Sequence, residues 1–391
     1  MKFPVSGFLF PVACFLLFGC AHTQQSKPAP QEQHVDMDPM VFAAQPDGHV
    51  ELVDAASLFE RAGAAYGQKD YDAALALFDR VVHDWPDTRY VVPSLYNAGL
   101  SLEAKNDLAA AAERYKRITR EHADDSAAID AWYRLGFVQS NAKNWAAAVD
   151  TYGQILARKD LTLGDRLEAL ARRGVAQFSA RDVIAAEHTF RDELAYYKAH
   201  ESDERLDSDF FVAMGAYYLG ECAHEQYRAL PVRLPEKQLG RDLEAKARML
   251  LVAQSRFLDA MRVNNVEWAT AAGFQIGSLY REFYDDLVGA PVPPALTGEA
   301  REVYLEEVRK QVKTLLQKAI SIHEKNILLA ERNGEKNEWV RRSNEQMEQL
   351  KKLLIPGPAA PQSPDTATPP AEPQSPPLPR PRDEVKPPVV L

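Results

Sequence analysis

Between residues 50 and 200, apolar side chains recur at helical spacing in paired segments divided by short polar turns. The first half of a pair sets large apolar residues around a small one, as in Ala131-Trp132-Tyr133-Arg134-Leu135-Gly136-Phe137-Val138. The second half runs like Asn144-Trp145-Ala146-Ala147-Ala148-Val149-Asp150-Thr151-Tyr152. Polar turns join the halves: Gly67-Gln68-Lys69-Asp70, Ala104-Lys105-Asn106-Asp107 and Ala142-Lys143-Asn144. The pattern returns every 37 residues, at Ala62, Gly99 and Gly136, at Ala74, Ala111 and Ala148, and at Phe78, Tyr115 and Tyr152. A fourth copy follows one residue late, with Gly174, Ala186 and Phe190. A fixed period of this size predicts an all-α solenoid of helix–turn–helix repeats. The small residues let the two backbones approach. The aromatic four residues after the second-helix Ala lies one turn further along the same face and fills the gap toward the next unit. The position three before that Ala is bulky in every copy: Tyr71, Leu108, Trp145 and Val183. The segment Asp84-Trp85-Pro86-Asp87-Thr88 reads as a helix stop, a turn and a new N-cap.

Beyond residue 200 the helical pattern persists while the period decays. Gly215-Ala216-Tyr217-Tyr218-Leu219-Gly220 opens a further first helix, with residues 245–260 as its partner. Trp268-Ala269-Thr270-Ala271-Ala272-Gly273 starts one more pair, and Val288-Gly289-Ala290-Pro291-Val292-Pro293-Pro294 cannot be helical. Residues 305–331 and 339–354 are amphipathic, charge-rich helices of the kind that cap a solenoid. Residues 356–391 hold 13 prolines and cannot build a core, so a disordered or polyproline-like spacer is expected there. The expected organisation is therefore 1–19 signal, 20–49 tether, 50–200 regular repeats, 201–355 divergent repeats and capping helices, and 356–391 tail.

The N-terminus carries an address. Lys2 precedes an apolar stretch, residues 8–18, of signal-peptide length and too short for a permanent span. It ends in Leu17-Phe18-Gly19-Cys20, which resembles the lipobox of bacterial lipoproteins. The resemblance implies cleavage before Cys20, a diacylglycerol on its sulfur and an acyl chain on its new amine. Two or more chains anchor a protein stably. Ala21 is neither Asp nor Lys, residues that retain some lipoproteins at the inner membrane, so the periplasmic face of the outer membrane is the expected location. A 29-residue tether reaches roughly 30 Å.

Composition narrows the chemistry. A formal charge of −10 argues against nucleic acid as a partner, because phosphate contacts need clustered Lys and Arg. With Cys14 in the signal and Cys20 acylated, Cys222 is alone, and a buried inert thiol is expected. No phosphate loop, no paired-His or Cys-x-x-Cys metal spacing and no Ser-centred nucleophile elbow occurs. His224-Glu225 and His323-Glu324 lack a second His and read as helix-surface pairs. No catalysis, no cofactor, no metal and no small-molecule substrate are expected, beyond the covalent lipid on Cys20.

The repeat pattern resembles the tetratricopeptide family across roughly residues 50–190. The family's small, aromatic and proline positions match Ala62, Ala74, Phe78 and Pro86, while the next copy has Ala123 in place of proline. The resemblance implies protein-partner binding in a groove lined by first helices. Its outward groove positions fall on Phe59, Tyr66, Tyr96, Asn97, Glu103, Tyr133, Arg134, Ser140, Asn141, Arg172 and Phe178. Several of these tyrosines have packing between units as their alternative role. Lipobox and repeats together resemble the lipoprotein subunit of the outer-membrane β-barrel assembly machinery, the related Tol-Pal-associated coordinator and the gliding-motility tetratricopeptide lipoproteins of deltaproteobacteria. The last are closer through Tyr280-Arg281-Glu282-Phe283-Tyr284-Asp285-Asp286-Leu287, Ala290-Pro291-Val292-Pro293-Pro294, Glu324-Lys325-Asn326 and Glu331-Arg332-Asn333-Gly334. This implies a scaffold of an envelope-spanning machine that grips envelope proteins. An adaptor in barrel assembly or envelope coordination is the alternative.

Overall fold

A computed structural model describes residues 40–44 and 50–354. The expected signal, Cys20, most of the tether and the Pro-rich tail lie outside the described residues. Two strands open the described chain, β1 (Met40–Ala44) and β2 (Val50–Asp54), paired antiparallel with Met40 opposite Asp54 and Ala44 opposite Val50. β1 falls within the stretch expected to be tether, and β2 takes the first five residues of the stretch expected to be helical repeats. The apolar runs Met40-Val41-Phe42 and Val50-Glu51-Leu52-Val53 are short, and the Pro46-Asp47-Gly48 sequence between them is of turn-forming type.

Helices follow in pairs. The regular units are α1 (Ala55–Gly67) with α2 (Tyr71–Asp84), α3 (Val91–Ala104) with α4 (Leu108–Glu121), α5 (Ala128–Asn141) with α6 (Trp145–Leu156), and α7 (Leu163–Ser179) with α8 (Val183–His200). Two longer pairs continue the stack: α9 (Phe210–Ala229) with α10 (Glu236–Arg262), and α11 (Val266–Val288) with α12 (Gly298–Arg332). A final helix, α13 (Glu338–Leu354), lies on α12 and α11. Each helix packs on the one before and the one after it, so no unit buries its apolar faces alone. The helix N-caps are local in origin. Asp70, Asp107 and Asp182 each accept a backbone hydrogen bond from the residue three later, satisfying a donor that the helix leaves open.

The turn inside each regular unit has one shape. Lys69, Asn106, Lys143 and Arg181 stand in the left-handed region, with φ of 63°, 60°, 58° and 66°. Such a conformation costs a non-glycine residue roughly 1–2 kcal/mol. Paired backbone bonds hold it: Lys69 N–H donates to Tyr66 O, and Asp70 N–H donates to Ala65 O. Those bonds satisfy two carbonyls at the end of the first helix.

The contact that sets the helix pairs is a backbone against a ring. A Cβ placed on Gly99 would lie 2.5 Å from the Tyr115 ring, and on Gly136, 2.6 Å from Tyr152. The same contact joins Gly174 to Phe190, Gly220 to Phe257 and Gly277 to the ring of His323. In the first unit Ala62 takes the small position and is buried in one cluster with Phe78. The second-helix alanines Ala74, Ala111, Ala148, Ala186, Ala253 and Ala319 each sit four residues before the ring and are fully buried. Thus the divergent half keeps the rule of the regular half. Longer helices and the linkers at 201–209, 230–235 and 289–297 shift its spacing and hide it from a search by period.

Two histidine readings are corrected. His323 is not on the helix surface: it is fully buried as the ring of the sixth unit, and burial pulls its pKa down to about 4. His224 is also fully buried, tied to Glu282. Cys222 is buried and free, and burial raises its thiol well above the ordinary range.

One core position breaks the pattern. Val81, Ile118 and Ile155 each sit seven residues after the second-helix Ala and are fully buried. In the fourth unit that place holds Glu193, 0% exposed, packed against Gly215 of α9, with neither carboxyl oxygen hydrogen-bonded. Desolvation raises its pKa well above 4.5 and favours the protonated carboxyl.

Two outcomes are expected from this packing. Helix propensity alone would make Gly136→Ala more stable by about 1 kcal/mol. The clash with Tyr152 reverses the sign, to a net loss of roughly 1–3 kcal/mol in urea denaturation; a variant as stable as the wild type would refute the close-approach argument. For Glu193, the unfolded chain releases the proton near 4.5 and the folded chain retains it. Stability therefore falls as pH rises from about 4.5 toward the raised folded value. Denaturation curves of Glu193→Gln across that range should lack this component of the decline.

Candidate functional site

The expected partner-binding residues sit on the first helices, and the structure distributes them among four unit-to-unit seams rather than one face. Phe59 lies between Phe78 and Tyr90, with ring centroids 5.6 Å from each. Tyr66, half-buried at the end of α1, meets Tyr71 edge-on at 5.5 Å. These two belong to the first unit and its junction with the second.

The second seam is polar. Tyr96 and Glu103 of α3 meet Arg134 of α5, with Tyr115 of α4 between them. Arg134 Nη1 lies 3.3 Å from Glu103 Oε2, and its Nε donates to the Tyr96 hydroxyl at 3.4 Å. The Tyr115 hydroxyl donates to Glu103 Oε1 at 2.6 Å. The side chains of Arg134 and Glu103 are only 1% and 9% exposed, so a low-dielectric surrounding strengthens the pair while making each half costly alone. Burial raises the Tyr96 phenol to about 12 against the pull of Arg134. Burial, then Glu103, raises Tyr115 well above its ordinary value.

A third seam joins α5 to α7, and a fourth joins α7 to α9. The Tyr133 hydroxyl donates to the backbone oxygen of Asp165, 2.5 Å away at the start of α7. Arg172 pairs with Glu168 at 2.6 Å and lies over the Phe211 ring at 5.5 Å. Phe178 meets Tyr218 edge-on at 5.5 Å.

The outward orientation expected for Tyr96, Tyr133, Arg134 and Arg172 is therefore corrected: all four are buried. The reason is geometric. α3, α5 and α7 each pack between two second helices, one from their own unit and one from the unit before. Only a narrow strip of each first helix remains, and long side chains fold across it to the next unit. Asn97 is also buried, and Glu103 nearly so. Ser140 is half-buried, its hydroxyl donating to Gly136 O, and Asn141 is exposed at the end of α5.

Sequence reasoning missed a second polar seam between α9 and α11. His224 Nε2 donates to Glu282 Oε2 at 3.0 Å, and Arg228 grips both oxygens of Glu282 at 3.1 and 2.7 Å. Burial alone would raise the Glu282 carboxyl, but His224 and Arg228 bring it down to about 2. Nearby, Gln275 donates to Glu221 and to Tyr217, and Lys246 pairs with Asp286 at 2.9 Å. These partners are 40 to 58 residues apart in the chain, at spacings with no common period, so no sequence signal pointed to them.

An opening of about 550 Å³ lies at the turns before α5 and α7, lined by Asp124, Asp125, Asp160 and Asp165, with Arg158 already paired to Asp160. Among the described residues no group of three or more His, Cys, Asp or Glu is placed to hold a metal ion. Among them, too, no helix is long and apolar enough to cross a membrane.

This geometry defines an α-solenoid of helix pairs. Residues 56–88, 94–125 and 130–158 match the tetratricopeptide repeat family, and these three segments are tetratricopeptide repeats. No curated protein matches the chain. Three solved structures are similar in fold. A repeat protein from Bacteroides fragilis shares 15% identity, with 67% of this chain and 98% of that one covered at a TM-score of 0.30. A tetratricopeptide protein from Parabacteroides merdae shares 15%, covering 77% and 98%, at 0.37. The C-terminal part of one from Cytophaga hutchinsonii shares 12%, covering 69% and 83%, at 0.42. Repeats of this type serve as protein–protein interaction scaffolds, and their stacked surfaces bind other chains.

The seam contacts separate residues that hold the stack from residues at its surface. Arg134→Ala strands Glu103 in a buried site and should cost about 3–5 kcal/mol in thermal or urea unfolding. Asn141→Ala should stay within about 0.5 kcal/mol of the wild type. Equal effects of the two would remove the distinction.

Proposed function

We propose that this chain is a non-enzymatic, lipid-anchored scaffold on the periplasmic face of the outer membrane, holding envelope proteins as part of a spanning machine such as a gliding-motility apparatus. The observation that carries this reading is a tetratricopeptide array continued through six helix pairs and preceded by Leu17-Phe18-Gly19-Cys20. Acylated Cys20 anchors the chain, and the 20–49 segment separates the array from the lipid surface. The surface residues of the first helices, Phe59, Tyr66, Ser140, Asn141 and Phe178, contact partners at the seam edges. Tyr96, Asn97, Glu103, Tyr133, Arg134 and Arg172 fix the spacing of those edges. The motility assignment draws on the Tyr280–Leu287 and Ala290–Pro294 sequences rather than on the repeats. No cofactor and no small-molecule substrate belong to this function.

In-cell crosslinking, followed by capture from outer-membrane fractions and mass spectrometry, tests the reading. Motor and envelope-spanning motility proteins are expected in the captured set, and Cys20→Ser should release the chain from the membrane fraction. Recovery of the barrel-assembly core with its substrates would overturn the motility assignment and make the chain an assembly adaptor.

A further inference from the structure

α12 is twice as long as the helix that covers it. Its 35 residues extend about 52 Å, whereas the 17 residues of α13 extend about 25 Å. α13 packs on the second half of α12, with Ser343 beside Asn326 and Leu350 buried in one cluster with Leu316, Ala319 and Ile320. Leu354, the last residue of α13, joins that same cluster. Among the described residues, no helix besides α11 packs along the first half of α12, residues 298–315, and α11 ends at Val288.

This arm is not a plain solvated helix. Leu305, Val308, Val312 and Leu315 follow heptad spacing of three and four residues and continue the apolar side that α11 and α13 use further along. All four are only half-buried, none belongs to a buried cluster of the described residues, and Val303 beside them is 63% exposed. Charge is sorted along the axis. Residues 298–308 hold four glutamates and one arginine, and residues 309–318 hold four cations and no acid. Within the helix, Arg309 and Lys310 reach Glu306 and Glu307 only at 3.8 and 3.9 Å, between exposed groups, where such pairs contribute little.

We propose that this arm is an interaction surface for a second copy of the same chain, paired antiparallel about a two-fold axis near residue 310. The apolar row is its own complement in that arrangement: Leu305 falls opposite Leu315 of the second copy, and Val308 opposite its Val312. Antiparallel pairing also sets the acidic end of each arm against the basic end of the other, whereas parallel pairing sets like against like. A contact in which the same patch serves both copies closes on itself as a dimer. The apolar row supplies the attraction, and the sorted charge fixes orientation. The paired length is short, about 16 Å of helix per copy across residues 305–315. The contact falls at the small end of protein interfaces, so a dissociation constant in roughly the micromolar range is expected.

Sedimentation velocity of the full chain tests the pairing, up to about 100 μM to span that range. The wild type should show a monomer–dimer equilibrium. Glu302→Lys with Glu306→Lys turns the acidic end of the arm from −3 to +1, and Lys313→Glu with Lys318→Glu takes the basic end from +4 to 0. Each double variant alone should be monomeric with an unchanged helical circular-dichroism spectrum, and an equimolar mixture of the two should dimerise again. That recovery separates charge pairing from misfolding, since two misfolded chains do not restore each other. A wild type that stays monomeric overturns the proposal and leaves the arm to another occupant. So does a dimer that survives in both variants, or a mixture that stays monomeric.

Discussion

Everything in this solenoid depends on how closely two helix backbones can approach. A ring on the second helix rests on bare backbone of the first, at Gly99, Gly136, Gly174, Gly220 and Gly277. Packing at that distance leaves no space for a methyl group, so the small residue is a steric requirement of the pair. With the pair fixed, the next unit is fixed as well, because its first helix must lie against the second helix already placed. The left-handed turn residues and the aspartate caps serve the same end, since they set the angle at which the second helix returns.

Polar groups are then used between units, not within a binding pocket. Arg134 with Glu103, Arg172 over Phe211, and Glu282 with His224 and Arg228 lie where one first helix meets another element. Apolar packing alone tolerates small slips of register, whereas a charged pair held in a dry seam tolerates few. These ties therefore suit a rigid platform better than an adaptable groove. A scaffold that spaces its partners needs such rigidity, which agrees with the role proposed for the chain.

The fold was readable in the sequence wherever insertions did not disturb the period. Ala62, Gly99 and Gly136 announced the regular units because identical turns keep their spacing. Gly220 and Gly277 obey the same packing, but linkers of unequal length move them out of step, so only the folded structure reveals the rule. β1 lies in the expected tether and β2 at the start of the expected repeats, because strands of five residues each are too short to stand out. The candidate face was less legible. Its residue types were recognised, yet Tyr96 and Arg134 turn inward, since a sequence gives the helix position of a side chain but not the neighbour it reaches. His224 and His323 looked superficial for the same reason.

The carboxyl of Glu193 at the α8–α9 seam has a mechanical consequence. Units stacked in single file carry an applied load in series, so every seam bears the same tension. In such a chain the first seam to part is the one with the least cohesion, whatever the strength of the others. Glu193 places an uncompensated polar group where the other regular units have Val81, Ile118 and Ile155, and a nine-residue linker follows it. Under tension the Glu193–Gly215 contact would therefore contribute least there, and the load across that seam would fall on the apolar core that Ala186 and Phe190 share with Ala213, Tyr217 and Tyr218.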